Sequence, residues 1–143
     1  MDEHFYPYLA GFLDGEGCIT VIHQSHRNSN GNKTLILSPR VTIYNSHLGV
    51  IKYIYSQLGF GDIQIRQWEK LQRRTHYQLD FHNYEWIVSL LQPLLPYLVV
   101  KAEQAKLVVE YCGSRLLLPI HSPYTEQELR LAEMIRQLNR VVP

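Results

Sequence analysis

Leu9-Ala10-Gly11-Phe12-Leu13-Asp14-Gly15-Glu16-Gly17 is the stretch on which the fold turns. It closes a helix expected from about Phe5 to Gly15. Pro7 is tolerated there because the first backbone N–H groups of a helix have no internal acceptor. The glycines flanking Glu16 end the helix. Gly11 and Gly15 lie four residues apart, hence on one helix face, and their missing side chains leave room for a second helix backbone. Tyr8 and Phe12 lie on or beside that stripe. A chain with one such helix needs a partner for it, and the simplest partner is its own copy across a two-fold axis. On spacing alone, the same glycines also read as a cluster that merely ends a helix. Glu16 emerges where the helix stops, with little steric cover. Two copies would set two carboxylates near the axis, which is costly unless divalent cations bind them. A lone exposed glutamate is the plainer alternative.

Downstream the pattern is strand, strand, helix, strand, strand, then helices. Ile19 to His26 is rich in β-branched residues, and Asn28-Ser29-Asn30-Gly31-Asn32 is a strong turn signal. Leu35 to Tyr44 returns as a strand, with Pro39 expected at an edge or bulge. Ser46 is the expected N-cap of a helix over His47 to Leu58, closed by Gly59. Asp62 to Trp68 and His76 to His82 alternate apolar and polar residues, joined by a polar, basic connection from Glu69 to Thr75. Asn83 caps a helix from Tyr84 to Leu91, and Pro93 and Pro96 break it. Val99 to Tyr111 reads as the next helix. Thr125-Glu126-Gln127-Glu128 has the form of a capping box and opens a last helix to about Asn139. The sum is α+β, a single domain over 1–143 with a four-stranded antiparallel β-saddle covered on one face by helices. The other face is wet and carries Gln24, His26, Arg40, Gln64, Arg66, His76 and Gln78.

Composition narrows the function classes. At 45% hydrophobic the chain can bury a core. No apolar stretch approaches the ~20 residues that span a bilayer. The opening Met-Asp-Glu-His has neither the basic region nor the apolar core of a secretory signal. The two cysteines, Cys18 and Cys112, are far apart and lack CxxC spacing, which excludes a zinc framework. An intracellular, reducing compartment is the expected setting. Net charge is only +1, but residues 19–80 carry eight bases against three acids, while residues 1–18 hold four acids and no Lys or Arg. A basic middle on a near-neutral frame suits a phosphate-facing surface, although a solvated face has the same signature.

The nonapeptide at Leu9–Gly17 resembles the LAGLIDADG motif, and the chain is similar to single-motif members of that homing endonuclease family. Val41-Thr42-Ile43-Tyr44-Asn45, Leu58-Gly59-Phe60-Gly61-Asp62-Ile63, Leu91-Gln92-Pro93-Leu94-Leu95 and Lys101-Ala102-Glu103-Gln104-Ala105 look like later parts of the pattern. The resemblance covers about Phe5 to Tyr111. The remaining residues, 113–143 among them, carry no such motif, and support of the core is the role expected of the last helix. The resemblance implies a homodimer with Tyr8, Gly11, Phe12 and Gly15 at a two-fold helix interface. It implies a metal site on Glu16 and the Gly15 carbonyl, filled by Mg²⁺, with Mn²⁺ substituting and Ca²⁺ binding without supporting cleavage. No organic cofactor and no membrane partner are expected. Lys101 falls where the family often sets a base near the scissile phosphate, and His47 falls where relatives order active-site water. Ile43, apolar in that same region, departs from the pattern. Asp14 is expected to make a structural hydrogen bond at the helix junction.

The implied activity is metal-dependent hydrolysis of a long, pseudo-palindromic DNA duplex, leaving 3′ overhangs. A two-stranded ribbon fits the major groove, where arginine suits guanine and amides suit adenine. Arg40 and Arg66 are therefore candidate guanine readers, and Gln24, Gln64, Gln78 and Asn28 candidate adenine readers. His26 and His76 share their face. Arg27, Lys33, Lys70, Arg73 and Arg74 sit at turns and ends, better placed for phosphates. Two alternatives use the same fold: an intron RNA maturase and a non-catalytic DNA-binding protein.

Overall fold

Strand parity decides what faces what. The computed structural model describes residues 2–66 and 75–140. Its elements are α1 (Phe5–Glu16), β1 (Gly17–Arg27), β2 (Lys33–Asn45), α2 (Leu48–Leu58), β3 (Asp62–Arg66), β4 (His76–Phe81), α3 (Tyr84–Leu91), a 3-10 turn (Gln92–Leu94), α4 (Ala102–Leu116) and α5 (Glu126–Arg140). The strands form one antiparallel sheet in the order β1-β2-β4-β3. Ile19 pairs with Val41, Val41 with Phe81, and Ile43 with Leu79, so these side chains share one face. All are buried, together with Phe5, Leu9 and Leu13 of α1, Ile51 and Ile54 of α2, Ile87 and Leu90 of α3, Val108 and Tyr111 of α4, and Leu131 and Ile135 of α5. The expected α+β class, with helices on one face of a four-stranded sheet, is what the chain adopts. No helix among the described residues is long and apolar enough to cross a membrane.

Pro39 sits where its missing N–H is harmless. β2 pairs with β1 along its length but with β4 only from Val41 to Asn45, so at Pro39 the strand has a single neighbour. Gly59 closes α2 in the left-handed region (φ 81°), which only glycine enters without strain.

Two boundaries differ from expectation. Ser46 is not the cap of α2. His47 is, with its Nδ1 accepting the Val50 N–H at 3.0 Å, while Asn45 Oδ1 accepts the His47 N–H at 2.8 Å. Gly49 makes room for the ring, because a Cβ there would lie 2.8 Å from His47 Cε1. The second difference is α4, which begins at Ala102 rather than Val99 and runs on to Leu116. The segment ahead of it is instead tied to α1 by a contact described below. Trp68, the expected end of β3, lies outside the described residues, and the strand is described to Arg66.

The last segment is tied down by one buried charge pair. The capping box forms in full: Glu128 N–H donates to Thr125 Oγ1 (3.1 Å) and Thr125 N–H to Glu128 Oε1 (2.9 Å). The same carboxylate accepts from Arg115 Nη1 (3.0 Å) and Ser114 Oγ (2.7 Å) of α4. Arg115 also donates to the Ser122 carbonyl and stacks 4.9 Å from the Tyr124 ring centre. The Tyr124 hydroxyl accepts the Leu37 N–H, and Asn139 Nδ2 donates to the Ile19 carbonyl. α5 therefore supports the core and the long hairpin. Burial alone would push the Glu128 carboxyl up, but hydrogen bonds from Thr125, Ser114 and Arg115 outweigh it and hold it below its ordinary 4.5. Glu128→Ala leaves Arg115 buried without its counter-charge and is expected to remove about 3–5 kcal/mol in urea unfolding. The wild-type contribution is full above the ordinary carboxylate pKa and fades as pH falls through the lower folded value, so Glu128→Gln flattens the acid limb of the stability profile.

Candidate active site and nucleic-acid interface

The site is built where α1 ends. Asp14 turns its carboxylate onto the segment after the 3-10 turn: Oδ2 accepts the Val99 N–H (2.8 Å) and Oδ1 the Lys101 N–H (2.9 Å). Lys101 answers by donating its Nζ to the Asp14 carbonyl (2.5 Å). A cation here also meets the negative end of the helix dipole. Two residues on, Glu16 is exposed and makes no ion pair with any described residue. Gly15 and Gly11 are exposed on the same helix, and a Cβ added to either meets nothing within 4 Å. Tyr8 is 46% exposed, with its ring 6.1 Å from that of the half-buried Phe12. Val99 and Val100, beside Asp14, are 81% and 70% exposed.

Hard oxygen donors are what a Mg²⁺ ion takes, and Glu16 with a last-turn carbonyl at Gly15 fits that chemistry. One chain supplies too few of them. Among the described residues no cluster of three His, Cys, Asp or Glu side chains is close enough to hold a metal. His47 is exposed at the start of α2 with Nδ1 committed to its cap, which leaves Nε2 free to reach outward. Cys18, the first residue of β1 to face away from the helices, feels both Lys101 and Arg40. Although Cys18 is exposed, partial desolvation raises its thiol against the opposing pull of those two charges.

Register then lays out the sheet's outer face. Thr20 pairs with Arg40, Ile22 with Ser38, Gln24 with Ile36, His26 with Thr34, Tyr44 and Gln64 with Gln78, and Arg66 with His76. All seven residues expected on the wet face share one side. Asn28 sits in the hairpin turn, with its amide donating to Thr34 Oγ1 at 2.7 Å. Arg27 and Lys33 face each other as the last pair of the long hairpin. Lys70, Arg73 and Arg74 lie outside the described residues.

A family model for the LAGLIDADG endonucleases matches residues 9–97, more than half of the chain. The chain belongs to that family. Solved structures share its fold. An archaeal intron-encoded homing endonuclease, I-Vdi141I, complexed with DNA, is 23% identical with a TM-score of 0.74, over 96% of this chain and 86% of that one. The homing endonuclease I-CvuI, in complex with the I-CreI target in the presence of 2 mM Mg with DNA not cleaved, is 22% identical with a TM-score of 0.59, over 96% of both chains. I-LtrWI, a LAGLIDADG homing endonuclease bound to target DNA, is 17% identical with a TM-score of 0.67, over 96% of this chain but only 44% of that one. Among curated proteins none matches.

In this LAGLIDADG chain the motif helix does two things at once. Phe5, Leu9, Ala10 and Leu13 face the core, while the glycine stripe faces out. Residue types alone did not single out Cys18, Thr20, Ile22, Ile36, Ser38, Thr42, Tyr44 or Asp80 on the outer face. Strand alternation counted from Gln24, Arg40 and Gln78 places all of them there. Nor did the sequence single out the exposed Val99 and Val100 beside Asp14. Asp14→Ala strips two backbone N–H groups of their acceptor. It is expected to lower stability by about 1–3 kcal/mol, with faster hydrogen exchange at the Val99 and Lys101 amides while sheet amides keep their protection.

Proposed function

We propose that the chain is a homodimeric, divalent-cation-dependent endonuclease that cuts both strands of a long, near-palindromic DNA site and leaves 3′ overhangs. One observation carries the reading: the helix has an open glycine stripe that its own fold does not use, and the exposed Glu16 comes next. A glycine inside a helix costs about 0.5–1 kcal/mol relative to alanine. Nothing in the single chain gains from Gly11 and Gly15. A second copy of the same helix does, and a two-fold axis there sets two Glu16 carboxylates side by side. Tyr8, Phe12, Val99 and Val100 supply apolar surface around the stripe. The same fold fills less than half of I-LtrWI, a length that leaves room for two such units in one chain; this chain has one motif.

Glu16 and the Gly15 carbonyl are the ligands proposed for Mg²⁺ or Mn²⁺, with Ca²⁺ binding but not supporting cleavage. The bound ions supply Lewis acidity and an activated water. The chain's own contribution is placement. Lys101, held against the end of α1, offers its ammonium to charge building on the scissile phosphate. His47 Nε2 helps to order water. Arg40, Arg66, Gln24, Gln64, Gln78, His26, His76 and Asn28 face base edges, while Arg27, Lys33, Lys70, Arg73 and Arg74 hold phosphates.

Sequencing the cuts made in a randomised duplex library, with and without Mg²⁺, tests this directly. Metal-dependent cutting at one near-palindromic site is expected, and Glu16→Gln is expected to reduce it on the order of a hundred-fold or more while dimerisation and binding persist. Wild-type cutting by Glu16→Gln would overturn the metal assignment. Lys101→Ala should slow cleavage more than it weakens binding. Gly11→Leu should leave the helix content unchanged but shift the sedimenting mass to the 16.8 kDa monomer.

A further inference from the structure

Asp80 is out of place on the outer face. It is 1% exposed, although its flanking outer-face residues Gln78 and Asp62 are solvent-accessible. Three side chains, one on each of three strands, close over it. Thr42 Oγ1 donates to Asp80 Oδ1 (2.8 Å), and Gln78 Nε2 donates to both carboxylate oxygens (3.4 Å each). Arg66 Nε donates in turn to Gln78 Oε1 (3.2 Å). Asp62, directly across from Asp80 on β3, is drawn instead to His82 (2.5 Å).

The direction of this relay is set by chemistry. Carboxylate oxygens accept and guanidinium N–H groups donate, so only one orientation of the Gln78 amide satisfies both neighbours. Arg66 is thereby held through Nε, and its two terminal nitrogens make no hydrogen bond to any described residue. That pair of donors matches O6 and N7 of guanine. Register also places the relay along the site. Cys18, Thr42, Asp80 and Asp62 form one row across the sheet, and Cys18 is two residues beyond Glu16. The tip of the long hairpin at Arg27 is about 30 Å further out at ~3.3 Å per residue.

We infer that Asp80 is a positioning residue for sequence specificity: through Gln78 it presents Arg66 to a guanine in the inner part of each half-site, beside the cut. The inference rests on the DNA-cutting reading above. Its test is selection of bound duplexes from a randomised library without Mg²⁺. Wild type is expected to prefer guanine about ten-fold or more at one inner position. In Asp80→Asn the new amide NH₂ meets that of Gln78. The glutamine turns over and offers a donor to Arg66, and the preference is lost at that position alone. Adding Gln78→Glu restores an acceptor between the two donors and should restore the preference. Gln78→Ala should lose it too, with Asp80 keeping its hydrogen bond from Thr42. In the free protein the Arg66 Nε–H should exchange slowly and become fast in Asp80→Asn. An unchanged guanine preference in Asp80→Asn, alongside its loss in Arg66→Ala, would overturn the relay. So would a uniform weakening of all sequences in Arg66→Ala, which marks a phosphate contact. Selection of no sequence by the wild-type chain would instead sink the DNA-cutting reading itself.

Discussion

The carboxylate of Asp14 ties the end of α1 to the segment that leads into α4. One side chain near the end of the first helix accepts two backbone N–H groups eighty-five and eighty-seven residues away, and the lysine it anchors returns a hydrogen bond to the Asp14 carbonyl. The consequences are geometric. The segment ahead of α4 is pinned to α1, Lys101 is held at the negative end of that helix, and Val99 and Val100 are left exposed beside Asp14. Glu16, two residues beyond Asp14, inherits a fixed exit direction from the helix. Two acids in one motif therefore have opposite fates: the first is consumed internally, and the second is left exposed for something outside the chain.

The two hairpins divide the outer face. The β1–β2 hairpin starts at Glu16 and reaches away from it, with solvent-facing polar side chains along its outward half. The β3–β4 pair stays near the end of α1, where Thr42, Asp80, Gln78 and Arg66 interlock. Long polar side chains on an open strand sample many rotamers, and ordering them on a ligand is costly. A buried carboxylate that already holds two of them lowers that cost before the ligand arrives.

Support for this face comes from behind and from the C-terminus. The Arg115–Glu128 pair is shielded from water and satisfied on nearly every side, which makes the stretch from Ser122 to Thr125 a rigid strap. Tyr124 and Asn139 extend it to β2 and β1, the strands that carry the long hairpin. The cysteines play no part in this bracing. Burial pushes the Cys112 thiol up to about 12, and it packs as a small apolar side chain.

The amino-acid order by itself determined the α+β class, the strand pairs, the family and the acid left at the end of the motif helix. Those features follow from local periodicity, turn chemistry and a contiguous nonapeptide, all of which act over a few residues. What only the tertiary structure decided depends on partners distant in sequence. His47, not Ser46, caps α2, because Asn45 and Gly49 shape the turn around the imidazole. The segment ahead of α4 is tied to α1, because Asp14 accepts the Val99 and Lys101 N–H groups. Glu128 looked like half of a local capping box, but its second role, neutralising Arg115, required two helices to pack. Asp80 read as one more polar strand residue. Its burial appears only when β2, β4 and β3 come into register, since no spacing along the chain reveals which side chain a neighbouring strand will bring opposite it.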